Sequence, residues 1–169
     1  MKEIKASQIT DNPFKLISKD WMLVTAGTED DFNMMTASWG FVGEIWGRDT
    51  VEIVVRRERY THGFIERTGR FTLTFFDHEM TKALEVMGSH SGRTFDKMHY
   101  AGLQHEVLPT GQITFCGARL VLECEVVYAD DFDPSCFKDP DIYRQWYGEG
   151  KGGIHTRFYG RVLRVWVPD

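Results

Sequence analysis

The chain has little cysteine, a deficit of basic residues and no long apolar run, and each shortage excludes something. Cys116, Cys124 and Cys136 are odd in number and lack CxxC spacing, so neither a disulfide framework nor a cysteine zinc site is expected. They read as reduced structural thiols of a cytoplasmic protein. No apolar run approaches the length needed to cross a bilayer, and the opening MKEIKASQITDNPF has no apolar core of a signal peptide, which again points to the cytoplasm and away from membranes. Lys and Arg total 20 against 25 Asp and Glu, a formal charge of -5. Non-specific nucleic-acid binding, which needs a field of cations, is therefore not expected, and any anion site must be local.

Several catalytic signatures are missing as well. There is no GxGxxG strand-turn-helix for a dinucleotide pyrophosphate and no alternation of β and α segments of the flavodoxin kind. His78, His90, His99 and His105 fit no HExxH or paired-cysteine spacing, so surface or capping roles are expected for them, with no metal. No nucleophile elbow or Cys/His pair announces acyl transfer. Asp130, Asp131 and Asp133 lack the glycine and terminal glutamate of an EF-hand.

What is present is a chain of 169 residues, 42% hydrophobic and 14% aromatic, long enough to bury roughly two thirds of its unfolded surface in a single domain spanning 1–169. Short β-branched and aromatic runs lie between Gly- and Asp-rich turns: 22–25, 35–41, 51–55, 71–76, 112–115, 118–129 and 158–167. This spacing predicts an antiparallel barrel or sandwich, mainly β. In the clearest strand Leu120, Leu122, Cys124, Val126 and Tyr128 share one face, with Glu123 and Glu125 on the other. Short helices are predicted over 61–67, with Thr61 as N-cap and Gly69 as its end; from Asp77 or Thr81 to a stop at Gly88; over 94–101, ended by Gly102; and from Asp139-Pro140 to Gly148. Segments 130–134 and 147–153 read as loops.

Three segments carry the chemistry. In Asn33-Met-Met-Thr-Ala-Ser-Trp39, Thr36 and Ser38 fall two apart on one strand face, with Ala37 keeping the space between them small, a grip for one phosphate or an ordinary polar strand face. Arg56, Arg57 and Arg59 end a strand just before a helix start, where guanidinium forks and unpaired N–H groups favour an anion. A solvated charge cluster is the alternative. Ser89-His-Ser-Gly-Arg-Thr-Phe-Asp-Lys97 could wrap an anion in backbone N–H groups or be a polar interhelix loop.

Together these segments resemble the flavin reductase-like, FMN-binding split-barrel family, which includes flavoredoxin. The resemblance rests on Asp20-Trp-Met-Leu-Val-Thr25, Asn33-x-Met-Thr-Ala-Ser-Trp39, Arg56-x-x-Arg-Tyr-Thr61 leading to Phe71-Thr-Leu-Thr-Phe75, and Ser91-Gly-Arg-x-x-Asp-Lys97 followed by Gly102-Leu103. It implies a Greek-key antiparallel six-stranded split barrel with a few short helices, normally a homodimer with FMN near the subunit interface. It also implies that Asn33, Thr36, Ala37 and Ser38 meet the phosphate and ribityl chain and that Trp39 lies against the isoalloxazine. Arg56, Tyr60 and Thr61 would supply basic and hydroxyl contacts, Ser91, Arg93 and Lys97 the loop over the cofactor, and His155 a further flavin-side contact.

The expected activity is an FMN-dependent oxidoreductase of the NAD(P)H:flavin reductase type, with NADH or NADPH as co-substrate and a redox partner protein possible. No catalytic acid is required, because the cofactor carries the redox chemistry. Lys97 or Arg93 is the expected cation beside the flavin N1 and C2 carbonyl. The alternatives are a flavoredoxin-like electron carrier without NAD(P)H turnover and a non-redox binding module on the same barrel. Lys97→Ala or Thr61→Val is expected to weaken FMN retention without unfolding the domain.

Overall fold

The computed structural model describes residues 1–169. In chain order its elements are β1 (Lys2–Ile4), α1 (Pro13–Lys15, continued by a π-helical turn over Leu16–Asp20), β2 (Met22–Thr28), β3 (Asp31–Ala37), β4 (Gly40–Ile45), β5 (Arg48–Arg56), α2 (Tyr60–Thr68), β6 (Arg70–Phe76), α3 (Thr81–Ser89), α4 (Lys97–Ala101), β7 (His105–Val107), β8 (Ile113–Phe115), β9 (Ala118–Asp131), α5 (Pro140–Tyr147) and β10 (His155–Val167). The main sheet is antiparallel and ordered β3-β2-β6-β9-β10-β5-β4, with β1 added to the far end of β10. β7 and β8 form a separate hairpin.

The two strands at opposite edges of this sheet, β3 and β4, are joined by Ser38 and Trp39 alone. So short a connector reaches only about 10 Å, so the sheet must curl until its edges face each other. No ladder joins β3 to β4, and the result is a barrel split along one seam. The single strand expected over 35–41 is thus two strands. Gly40 opens the second with φ 152°, and a Cβ there would collide with the Glu52 carbonyl, so the chain turns where only glycine fits.

Period-2 alternation sorts side chains into two apolar layers. Met22, Val24, Phe71, Leu73, Phe75, Leu120, Leu122, Cys124 and Phe158 fill the barrel. Leu23, Phe76 and Val121 point the other way, beneath Leu84 and Met87 of α3 and Phe115 of the hairpin. On β9 the alternation holds through Val126, which packs against the barrel core; opposite Tyr159/Gly160 the ladder shifts register, and Tyr128 lies exposed against the Tyr159 ring.

The helices fall close to their expected places, with three differences. Arg59, not Thr61, is the N-cap of α2; Thr61 sits in the first turn, fully buried, with Gly69 ending the helix at φ 63°. Gly88 does not stop α3, which runs through Ser89, because the bare Cα lies against β3: a Cβ there would sit 3.4 Å from the Thr36 Cβ. α4 starts at Lys97 rather than Thr94, since the preceding residues are spent on a turn closed by the Thr94 N–H on the Ser91 carbonyl and Asp96 caps the helix by accepting from the His99 N–H. At α5 the expected Asp139 cap accepts from the Asp141 N–H, with Pro140 following.

Glu123, placed by alternation opposite the barrel core, is fully buried under the β7–β8 hairpin. Its carboxylate accepts from the Thr110 hydroxyl, the Gln112 amide (3.1 Å) and the Trp166 indole N–H. Burial of such a group is tolerable only because three donors surround it. Glu123→Ala strands those donors and should lower unfolding stability by about 2–4 kcal/mol, against a smaller loss for Glu123→Gln. Urea unfolding of both variants checks this; equal stability of Glu123→Ala and the parent would show that the network holds nothing.

Candidate functional site

A cleft of about 630 Å³ opens at the seam. One wall is the end of β3 and the connector (Met35, Thr36, Ala37, Ser38, Trp39), a second the end of β5 with Arg56 and Arg59, and a third α3 with Leu84, Glu85, Gly88 and Ser89. Trp21, Trp146 and His155 complete it. Its size and mix of aromatic walls with a few polar groups suit one flat organic ligand.

The α3 wall is held by its own carbonyl groups. The Thr36 hydroxyl donates to the Leu84 carbonyl (2.5 Å), the Arg59 guanidinium to Gly88 (2.5 Å), and the Lys97 ammonium to Met87 (3.0 Å) and to Met34 of β3 (2.8 Å). The last carbonyls of a helix have no partner in the helix itself and carry its negative end, so two cations here satisfy them and oppose the dipole. Burial, with the neighbouring Arg59 charge, pushes the Lys97 pKa down to about 8.

Behind this wall the segments singled out in the sequence meet. The Asn33 amide pairs with the Thr61 hydroxyl at 2.7 Å, and turned with its oxygen toward α2 it also accepts from the backbone N–H groups of Thr61 and Met34. Gly92 presses so close to Asn33 that a Cβ would overlap the amide. Arg93 lies over the Tyr60 ring at 4.7 Å and donates to the Glu58 carbonyl, while the Ser91 hydroxyl accepts from the Arg93 N–H.

The opposite end of the cleft is aromatic. Trp39 meets Trp146 edge to face at 4.6 Å and the His155 ring at 5.3 Å. Arg56 lies beside them, opposite His155 in the β5–β10 register. Its guanidinium donates to the carbonyls of Trp146 (2.9 Å) and Gly153 (2.6 Å), and Glu58 accepts from the Gly153 N–H (2.5 Å). These bonds fasten the 132–153 excursion over the seam. Burial, reinforced by Arg56, depresses the His155 pKa to about 4, so the ring is neutral at pH 7.

Of the residues anticipated as cofactor contacts, Thr36, Ala37, Ser38, Trp39, Arg56 and His155 line the cleft. Asn33, Tyr60, Thr61, Ser91, Arg93 and Lys97 stand behind its wall, Lys97 only 4% exposed. Thr36 and Ser38 do not form one strand-face grip, because β3 ends at Ala37 and the Thr36 hydroxyl is committed to α3. Lys97 and Arg93, the expected cations, are not among the residues lining the cleft, whereas Arg56 is. Arg57, third member of the basic run, points away to Asp131 (2.8 Å). Trp21, Glu85 and Trp146 are cleft walls that carried no expected role in ligand binding. Ser89 and Arg59, members of the third segment and of the basic run, join them, and for Arg59 the position before a helix start was the available signal.

A curled antiparallel sheet open along one seam, with an aromatic and cationic cleft at that seam, defines the class: an FMN-binding split-barrel fold. The model of the flavin reductase like domain matches residues 14–169, and the chain belongs to that family. Membership ties it to flavin-related redox chemistry. Among solved structures it is similar to an FMN-binding protein from Thermus thermophilus with bound p-hydroxybenzaldehyde (TM-score 0.70, 22% identity, covering 100% of this chain and 83% of that one). Flavoredoxin from Methanosarcina acetivorans gives a TM-score of 0.69 at 19% identity, covering 100% and 77%. An NADH:FAD oxidoreductase from Streptomyces globisporus gives 0.64 at 19%, covering 88% and 75%. At such identities the likeness is one of fold. No helix is long and apolar enough to cross a membrane.

Thr61 and Lys97 are framework groups in this geometry, so the expected outcome of replacing them changes. Thr61→Val should cost about 1–2 kcal/mol of stability, read by thermal or urea unfolding, before any effect on a ligand. Lys97 holds its proton less tightly when folded, so the unfolded chain binds more protons between about pH 8 and 10.5 and stability should rise with pH across that window. Lys97→Met should flatten the rise; an unchanged profile would show that the ammonium is not held as described.

Proposed function

We propose that the chain is an FMN-dependent oxidoreductase of the NAD(P)H:flavin reductase type. The observation that carries this reading is one cleft with a guanidinium at the α3 side and tryptophan planes with a second cation at the other. In this reading Arg59, with Ser38 and Ser89, takes the phosphate and ribityl end, while Trp39 and Trp146, in edge-to-face contact with each other, form one aromatic wall for the ring system. The Arg56 guanidinium, whose terminal nitrogens hold the Trp146 and Gly153 carbonyls, stabilises negative charge on a reduced ring. Glu85 on the α3 wall favours hydroxyl groups over a second phosphate. Together with the missing pyrophosphate motif, this supports FMN over FAD. When bound, FMN supplies the ring that accepts a hydride from NADH or NADPH and passes electrons on.

A homodimer belongs to the same reading. Phe41 and Trp46, 71% and 61% exposed, stand on or beside the unpaired edge strand β4, with Trp46 close to the Tyr128 and Tyr159 rings. Exposed aromatics on an open sheet edge favour a covering partner. The unpaired thiols of Cys116, Cys124 and Cys136 suit a reducing, cytoplasmic compartment. The flavoredoxin likeness supports a second reading, an electron carrier that a redox partner protein reduces.

The purified protein should be yellow and should bleach when mixed anaerobically with NADH or NADPH. No bleaching with either, alongside reduction by a ferredoxin-type donor, would establish the carrier instead. Failure to retain FMN after reconstitution would leave a non-redox module. Arg59→Ala should weaken FMN binding by about tenfold or more, as loss of a charge-assisted hydrogen bond does. Unchanged affinity by flavin fluorescence titration would move the phosphate elsewhere.

A further inference from the structure

We propose that Tyr147 is a positioning residue for His155: its phenol donates to Nδ1, fixes the Nε2–H tautomer, and so presents a permanent N–H donor to a carbonyl oxygen in the cleft. The Tyr147 Oη lies 2.9 Å from His155 Nδ1, with the rings nearly perpendicular at 80°. His155 is a wall of the cleft and Tyr147 is not, so the Nδ1 side of the imidazole faces protein and the remaining side faces the ligand space. Trp39 pins the same ring at 5.3 Å.

A neutral imidazole has one donor and one acceptor nitrogen, and a partner at one dictates the other. Burial, more than the net effect of the charges around it, keeps the ring neutral. Arg56 and Arg59 oppose its protonation and Glu58 favours it, with burial the largest influence. Arg56 also lies over the Tyr147 ring at 5.5 Å while holding the carbonyls of Trp146 and Gly153, so one guanidinium both steadies Tyr147 and adds to the burial that keeps its partner neutral. A neutral N–H beside tryptophan planes recognises the carbonyl oxygen of a planar ligand, whether that of the flavin or of a second substrate. The tautomer assignment is independent of the flavin reading; only its kinetic consequence rests on it.

The test begins with 15N-histidine NMR of the whole protein, with and without added FMN. The expected spectrum has His155 Nδ1 as an unprotonated acceptor and Nε2 carrying hydrogen at pH 7 and still at pH 5.5. A His155 protonated at Nδ1 overturns the proposal, even if the protein binds no flavin. In Tyr147→Phe the tautomers should mix and the imidazolium should appear at higher pH, because the donor that opposed protonation is gone. Flavin reduction by NADH or NADPH should slow by about five- to tenfold, the loss of one hydrogen bond, with the acid limb moved upward. Adding Tyr147→Phe to His155→Gln should cause no further loss; additive losses, or an unchanged tautomer and acid limb, would reduce Tyr147 to a packing residue. A changed FMN affinity assigns the carbonyl to the flavin, whereas a changed KM for the dinucleotide alone assigns it to the second substrate.

Discussion

The carbonyl groups at the C-terminal end of α3 are the constraint on which the cleft depends. A helix ending against a sheet leaves its last acceptors without partners, and burying them unpaired is costly. Here Arg59 takes Gly88 and Lys97 takes Met87 together with Met34 of β3, while Thr36 adds a bond to the Leu84 carbonyl one turn earlier. Three elements distant in sequence are thereby tied to one helix. The two cations also oppose the helix dipole, while burial and, to a lesser extent, the Arg59 charge loosen the proton on Lys97. The carbonyl groups of this wall are thus satisfied by neighbouring elements, and Arg59 still borders the ligand space.

The second constraint is topological. Because the edges β3 and β4 are joined by two residues, the sheet must curl, and because no ladder closes it, the seam stays open where Ser38 and Trp39 cross. The cleft is the space that this split leaves. The excursion from Phe132 to Gly153 then covers its aromatic end, fastened by Arg56 and Glu58 rather than by burial of its own, since α5 buries no residue. A charge at the end of one strand thus both shapes the site and holds down its cover.

Much of the fold was legible because strands announce themselves by alternation. Leu120, Leu122 and Cys124 face the barrel as their spacing requires, and the glycine after α2 and the Asp139-Pro140 start of α5 lie where backbone chemistry puts them. The break at Gly40 was not legible, since Met35 to Phe41 reads as one strand-like run of apolar, small and hydroxyl residues, and only the close approach of the Glu52 carbonyl shows why a glycine is needed at the turn. Gly88 likewise reads as a stop until its packing on Thr36 is seen. For the site, the three segments converge as their chemistry suggested, but residue type could not separate groups facing the ligand from groups holding the wall. Arg57 and Arg59 look alike in a list of residues; the turn that follows β5, closed by the Arg59 N–H on the Arg56 carbonyl, sends one to Asp131 and the other to the cleft.

By itself the sequence determined that the protein is a mainly β domain with local clusters of guanidinium and hydroxyl groups and no dinucleotide motif, because composition, periodicity and turn residues act over a few neighbours. It also placed hydroxyls, guanidinium groups and an aromatic plane in segments that resemble a flavin site. Tertiary structure alone decided which of them face the cleft, that Lys97 and Thr61 hold the wall, and that Tyr147, from a segment with no readable role, meets His155 at 2.9 Å. The reason is that a side chain's role depends on which carbonyl, ring or charge it meets across the fold. Those encounters are set by the curl of the sheet, not by neighbours along the chain.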